Sequence, residues 1–235
     1  MRAMRTLFIT LALVGFGCGD SGNKQTDAPM QMIDAPAVTP PLTLDCTTYC
    51  THLNTDCPAA GATGQIAMAN CMGTCAAFKP GTQADTSGNT LGCRNYHLQN
   101  IEVRNMSAAT HCPHTGVLGG PAAGATAVCA DAAPANTPCA NFCALQTKIC
   151  GTDANQVTGV TNRYADSAAC LTACAAFTTT PEATPSATTG NTLACRVYHV
   201  TNAAAQTTAA GVNTHCGHTL TSTATNMAIV GPCFQ

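Results

Sequence analysis

Residues 46–57 read CTTYCTHLNTDC and residues 139–150 read CANFCALQTKIC, two blocks with the same Cys-x3-Cys-x6-Cys spacing. In the first block Cys46, Tyr49, Cys50, Leu53 and Cys57 recur at i, i+3, i+4, i+7 and i+11, the period of one helix face. Asp45 is placed to cap that helix, and Thr137 followed by Pro138 gives the second block a cap and a first-turn proline. Cysteines four apart share one face and lie about 6 Å apart along the axis. Cys71 and Cys75, matched by Cys170 and Cys174, repeat that spacing. Two such helices packed antiparallel present two bridges side by side. The expected pairs are Cys46 with Cys75, Cys50 with Cys71, Cys139 with Cys174 and Cys143 with Cys170, as in disulfide-stapled helical hairpins.

Outward from these blocks the match continues. Cys46, Cys50, Cys57, Cys71, Cys75, Cys93, Cys112 and Cys129 correspond in order to Cys139, Cys143, Cys150, Cys170, Cys174, Cys195, Cys216 and Cys233. The shared segments include Cys-x3-Cys-Ala-Ala-Phe, Gly-Asn-Thr-Leu-x-Cys-Arg-x-Tyr-His and Thr-His-Cys-x-His-Thr. The chain therefore contains a duplicated eight-cysteine unit, with spacers that drifted between fixed blocks. A second helix is expected to carry Cys71, Cys75 and Phe78, or Cys170, Cys174 and Phe177. A third is expected to start near Thr90 or Thr192 and run through Leu91, Arg94 and Leu98, or Leu193, Val197 and Val200. No stretch alternates apolar and polar residues as a strand would. The fold class expected is mainly α: two tandem, small, disulfide-stapled helical domains with long loops. Their boundaries are 45–130 for repeat 1, 131–137 for a linker and 138–235 for repeat 2.

The composition explains why cysteines are needed. With no Trp, 6 Phe and 4 Tyr, a unit of this size buries little area with large side chains. Each disulfide contributes about 2–4 kcal/mol, chiefly by restricting the unfolded chain. Disulfides in this number belong to oxidising compartments, so export is expected. Charged residues make up only 9% of the chain, and 9 Lys+Arg against 11 Asp+Glu leave no basic excess to neutralise phosphates. Nucleic acid is excluded as an expected partner.

Residues 1–17 have the order of an export signal: Arg2 and Arg5, an apolar run from Leu7 to Phe16, then Gly17 before Cys18. The run is shorter than the roughly 20 residues a membrane span needs. Val14-Gly15-Phe16-Gly17-Cys18 resembles the processing site of bacterial lipoproteins, departing from it at Gly15, where Leu or Val is usual. The resemblance implies cleavage before Cys18 and lipid on its thiol and amine. Residues 18–44 then read as the lipidated cysteine and a tether rich in Pro, Asp, Thr and Gly, with Asp-Ala-Pro at Asp27 and Asp34. Such a tether before tandem eight-cysteine units resembles uncharacterised cysteine-rich lipoproteins of myxobacterial type. That resemblance implies a cell-envelope location, in the outer membrane or at the cell surface, and brings no known activity. Parity agrees: of 17 cysteines, sixteen lie in the two units and Cys18 stands alone for the lipid.

Six of the 7 histidines are duplicated: His97, His111 and His114 match His199, His215 and His218. His52 is the exception and is expected on a solvated face. Cys57, Cys93, Cys112 and Cys129, like Cys150, Cys195, Cys216 and Cys233, admit three pairings that the sequence leaves open. If Cys93 bonds Cys112, His97 is carried toward His111 and His114, and three imidazoles form a set for zinc or copper. The bland reading has His97 packing at a helix end and the other two histidines hydrogen-bonding in loops. Arg94 and Tyr96, with Arg196 and Tyr198, read as scaffold residues, the arginines pairing with a loop carboxylate or carbonyl.

Catalytic motifs are missing: no Cys-x2-Cys, no His-Glu-x2-His, no Gly-x-Ser-x-Gly. Asp85, Glu102 and Asp131 have no acidic counterparts in the second copy, so a duplicated carboxylate site is not expected. The leading expectation is a non-enzymatic cell-envelope lipoprotein acting as a structural or binding module without a cofactor. It would be held to a lipid bilayer by its N-terminal anchor and meet an envelope protein or extracellular ligand. A zinc- or copper-binding envelope protein is the first alternative. A secreted enzyme with an unrecognised site is the second; at the junction between repeats such a site could use residues present only once.

Overall fold

The computed structural model describes residues 41–57, 66–120, 127–131, 137–151, 158–161, 163–180, 186–221 and 231–234. Residues 1–40, on which the expected export signal, Cys18 and most of the expected tether fall, lie outside the described residues. Copy 1 contains α1 (Cys46–Asp56), α2 (Met68–Ala76), α3 (Leu91–Glu102) and α4 (Ala108–Thr115). Copy 2 contains α5 (Pro138–Cys150), α6 (Ser167–Cys174), α7 (Leu193–Ala204) and α8 (Ala209–Thr219), followed by a 3-10 turn at Pro232–Phe234. Among the described residues there is no strand, only the isolated bridges Lys79 with Thr90 and Thr178 with Thr192. The protein is mainly helical.

Helix starts follow local chemistry. The side chains of Asp45, Thr90, Thr137, Asp166, Thr192 and Thr208 each accept a hydrogen bond from a first-turn amide, satisfying a donor that no helical carbonyl can reach. α2 and α6 stop at Ala76 and Cys174, so Phe78 and Phe177 lie beyond the helices expected to carry them. There each phenylalanine lies beneath a guanidinium, Phe78 under Arg94 and Phe177 under Arg196. α4 and α8 were not legible in the sequence, because Ala, Thr, Asn and His populate them without an apolar period and α4 contains Pro113.

Eight disulfides fasten these helices. Cys46–Cys75, Cys50–Cys71, Cys139–Cys174 and Cys143–Cys170 join α1 to α2 and α5 to α6, the four pairs that the i, i+4 spacing predicts. The remaining pairings are Cys57–Cys112 and Cys93–Cys129, repeated as Cys150–Cys216 and Cys195–Cys233. All sixteen cysteines from Cys46 onward are thereby paired, and every bridge has its counterpart in the other copy.

Both copies lie in one compact unit, Thr39–Gln235, and share one apolar cluster that runs from Tyr49 and Leu53 through Leu98 and Leu118 to Phe142, Val197 and Val200. The junction is close. A Cβ on Gly73 of α2 would sit 2.1 Å from the carbonyl oxygen of Ala204 at the end of α7, so only glycine permits this contact. Asn141 of α5 reaches back into copy 1, its Nδ2 donating to the carbonyls of Cys129 at 2.7 Å and Leu118 at 3.0 Å.

Each core holds an arginine. Arg94, fully buried, donates to Asn89 Oδ1 and to the carbonyls of Thr90, Gly116 and Val117. Arg196 donates to Asn191 Oδ1 and to the carbonyls of Thr192, Leu220 and Cys233. The guanidinium carbons lie 4.0 Å and 3.6 Å from the Phe78 and Phe177 ring centres, within cation–π range. Of the two partners expected for these arginines, the carbonyls are the ones that hydrogen-bond. Burial still pulls the Arg94 guanidinium down to about 10, leaving it charged at ordinary pH.

Candidate metal centre

His97 lies on the inner face of α3, His111 and His114 on α4; His199 lies on α7, His215 and His218 on α8. The bridge invoked to bring them together does not form, since Cys93 bonds Cys129 and Cys112 bonds Cys57. Helix packing achieves the convergence instead. α3 packs on α4, and α7 on α8, so that two histidines three apart on the second helix of each pair face one histidine on the first.

In copy 2 the His199 Nδ1 is 3.2 Å from the Nδ1 of His215 and 3.2 Å from the Nδ1 of His218. Nitrogens of all three rings lie within 4.8 Å of one another. In copy 1 the His97 and His111 Nδ1 atoms are 2.9 Å apart, and the His114 ring centre lies 4.7 Å from that of His97. His114 Nδ1 is buried with no hydrogen-bond partner in the protein. His97 and His199 are therefore hubs, each meeting both other rings of its own copy.

The outer nitrogen of the copy 2 hub is set by the loop before its helix. His199 Nε2 lies 3.4 Å from the Thr188 carbonyl oxygen, which can only accept, so the proton belongs on Nε2 and the lone pair on the inward Nδ1. The Thr86 backbone stands in the corresponding place before α3, but His97 Nε2 is buried with no hydrogen-bond partner in the protein. Both loops turn through a glycine in the left-handed region, Gly88 at φ 90° and Gly190 at φ 92°. Thr86 and Thr188 were missed in the sequence, although the duplicated Thr-x-Gly-Asn-Thr that contains them was there to be found.

The electrostatics favour neutral rings. Burial, reinforced by the neighbouring imidazoles, lowers His97 and His199 to about 4. Burial also lowers His111, His114, His215 and His218. Neutral imidazoles with converging lone pairs are the form in which histidine binds metal. Two imidazoles on a tetrahedral zinc would have nitrogens about 3.3 Å apart, given Zn–N bonds of about 2.0–2.1 Å. The 3.2 Å spacings in copy 2 match that, so the residues present fit such an ion. The sulfurs of Cys93 and Cys129, and of Cys195 and Cys233, also lie beside the hub histidines, but as disulfides they offer no thiolate.

His52 departs from the solvated face expected for it. Its Nδ1 is 2.9 Å from Glu102 and 3.2 Å from Asp56, and its side chain is 20% exposed. Tyr96 and Tyr198 pack edge-on against the hub rings, giving them a scaffold role. No helix among the described residues is long and apolar enough to cross a membrane. Comparison with known protein families, curated proteins and solved structures finds no match for this chain.

Proposed function

We propose that the protein is an exported, lipid-anchored, non-enzymatic protein that binds one zinc or copper ion in each copy. The convergence of His199, His215 and His218 carries this reading; in copy 1 His97 and His111 meet at 2.9 Å, while His114 meets His97 ring to ring and the three sets of nitrogens do not all fall within 4.8 Å. Three neutral imidazoles supply the borderline nitrogen donors that both ions accept, and leave a further position for water or a ligand from a partner. The anchor rests on the signal-like residues 1–17 and on Cys18, the one cysteine upstream of the eight-bridge unit. Disulfides at this density fit an oxidising envelope compartment.

Purified protein, exposed to zinc or copper and then desalted, is expected to retain about two ions per chain by elemental analysis. His199→Ala is expected to retain about one, and His97→Ala with His199→Ala none. Protein that emerges metal-free from both ions ends this reading. The 2.9–3.2 Å Nδ1 contacts would then be hydrogen bonds pinning α3 to α4 and α7 to α8, favouring a purely structural or binding module.

A further inference from the structure

A cleft of about 580 Å³ opens at the junction of the copies, between the end of α2 with the segment through Pro80 and the outer face of α5. Its size falls in the range of small-molecule sites. Phe78 and Leu145 give it an apolar floor, and Lys79 and Lys148 add an ammonium from each side. They are the only lysines downstream of Lys24, in a chain with 9 cationic side chains in all.

The duplication supplies a control within the molecule. Lys79 corresponds to Thr178, Lys148 to Thr55, Leu145 to His52 and Asn141 to Thr48. Phe78 has its duplicate in Phe177, but these four residues have no like counterpart and occur once, where the copies meet. Asn141, which lines the cleft and is 2% exposed, spends both amide protons on copy 1 carbonyls and so ties this wall of the cleft to copy 1.

We infer that this junction cleft binds a small amphipathic carboxylate. The carboxylate lies between Lys79 and Lys148, and the apolar body covers Phe78 and Leu145. Asp131, 3.2 Å from Lys79 in an exposed ion pair, is a group the ligand competes with. Exposed pairs of this kind contribute little, so a bound carboxylate displaces it at small cost.

N-acetyl-L-phenylalanine carries both features and is the probe, titrated calorimetrically into protein verified by intact mass to hold eight bridges. Binding in the micromolar to low millimolar range is expected. Lys79→Thr and Lys148→Thr install the residues of the other copy, so folding is preserved, and each should weaken binding about tenfold. Asp131→Asn should tighten it. Ala144→Trp, which fills the cleft and leaves both charges in place, should abolish it. N-acetyl-L-phenylalaninamide, without the charge, should bind at least about tenfold more weakly. The inference is overturned by absence of binding at about 10 mM probe, or by a double lysine variant that binds like the parent. Equal binding of the neutral amide overturns it too, as does inorganic phosphate displacing the probe at matched concentration, which would mark a site for any small anion.

Discussion

Where copy 2 carries Leu145, Ile149 and Ala204, copy 1 carries His52, Asp56 and Glu102, joined by ion pairs of 2.9 and 3.2 Å. Where copy 1 has Gly73, close against Ala204, copy 2 has Thr172 on the exposed side of α6. The two copies agree in every bridge, in the buried arginine and in the three histidines, and they part company on the faces through which they touch. The α2 face of copy 1 meets the α5–α7 face of copy 2, a head-to-tail contact that could in principle continue with a third unit. Thr172 removes the close approach at one free end, and the charged trio removes the apolar seat at the other. The differences therefore read as caps, the role terminal units play in repeat arrays.

The largest effect that would test this likeness and difference comes from the arginines. Arg94→Ala strands the Val117 carbonyl and Asn89 Oδ1 in a dry core, takes the side-chain donor from the Thr90 and Gly116 carbonyls, and should cost about 3–5 kcal/mol in denaturant unfolding with bridges intact. Arg196→Ala should cost clearly less, because Arg196 Nε already lacks a partner where Arg94 Nε bonds Gly116. Equal losses would show that the copies contribute alike. Next comes the junction: Gly73→Thr, the residue of the other copy, should cost about 2–3 kcal/mol through overpacking against Ala204. The reverse change, Thr172→Gly, should cost no more than about 1 kcal/mol of helix propensity. Similar values for the two would dissolve the distinction between a joined face and a free one.

The smallest effect concerns what the copies share. All six duplicated histidines titrate below the ordinary histidine range in the fold, His97 and His199 at about 4. The unfolded chain thus takes up protons first, and metal-free protein loses stability as pH falls from about 6.5 toward 4, levelling off below. A Tm drop of about 3–6 °C between pH 7 and 4.5 is expected by calorimetry. A Tm that stays flat across that window would mean the rings are solvated. Bound metal should steepen the dependence, since protons and metal compete for the same lone pairs.

What the sequence disclosed and what it withheld divide along physical lines. Cys46 with Cys75 and Cys50 with Cys71 were legible because helical period places both partners of each bridge on regular faces. Cys57–Cys112 and Cys93–Cys129 were not, since Cys112 sits on an unrecognised helix and Cys129 in a segment whose path no local rule sets. The histidines were singled out by duplication alone. Their convergence was expected through a bridge that does not form and came from the antiparallel return of α4 and α8. Nothing in the periodicity foretold that Asn141 would clamp copy 1 or that the lysines would share a cleft, because both depend on how the copies dock.

The arginines carry one further consequence. Every atom that hydrogen-bonds to Arg94 is a carbonyl or amide oxygen, and none of those oxygens takes up a proton in ordinary acid. A buried cation answered by a carboxylate comes undone when that acid is neutralised. One answered by amide dipoles has no such trigger. At the centre of each copy, then, stands a charge held by a clasp that acid does not open, while the histidines a few residues along the same helix respond to it.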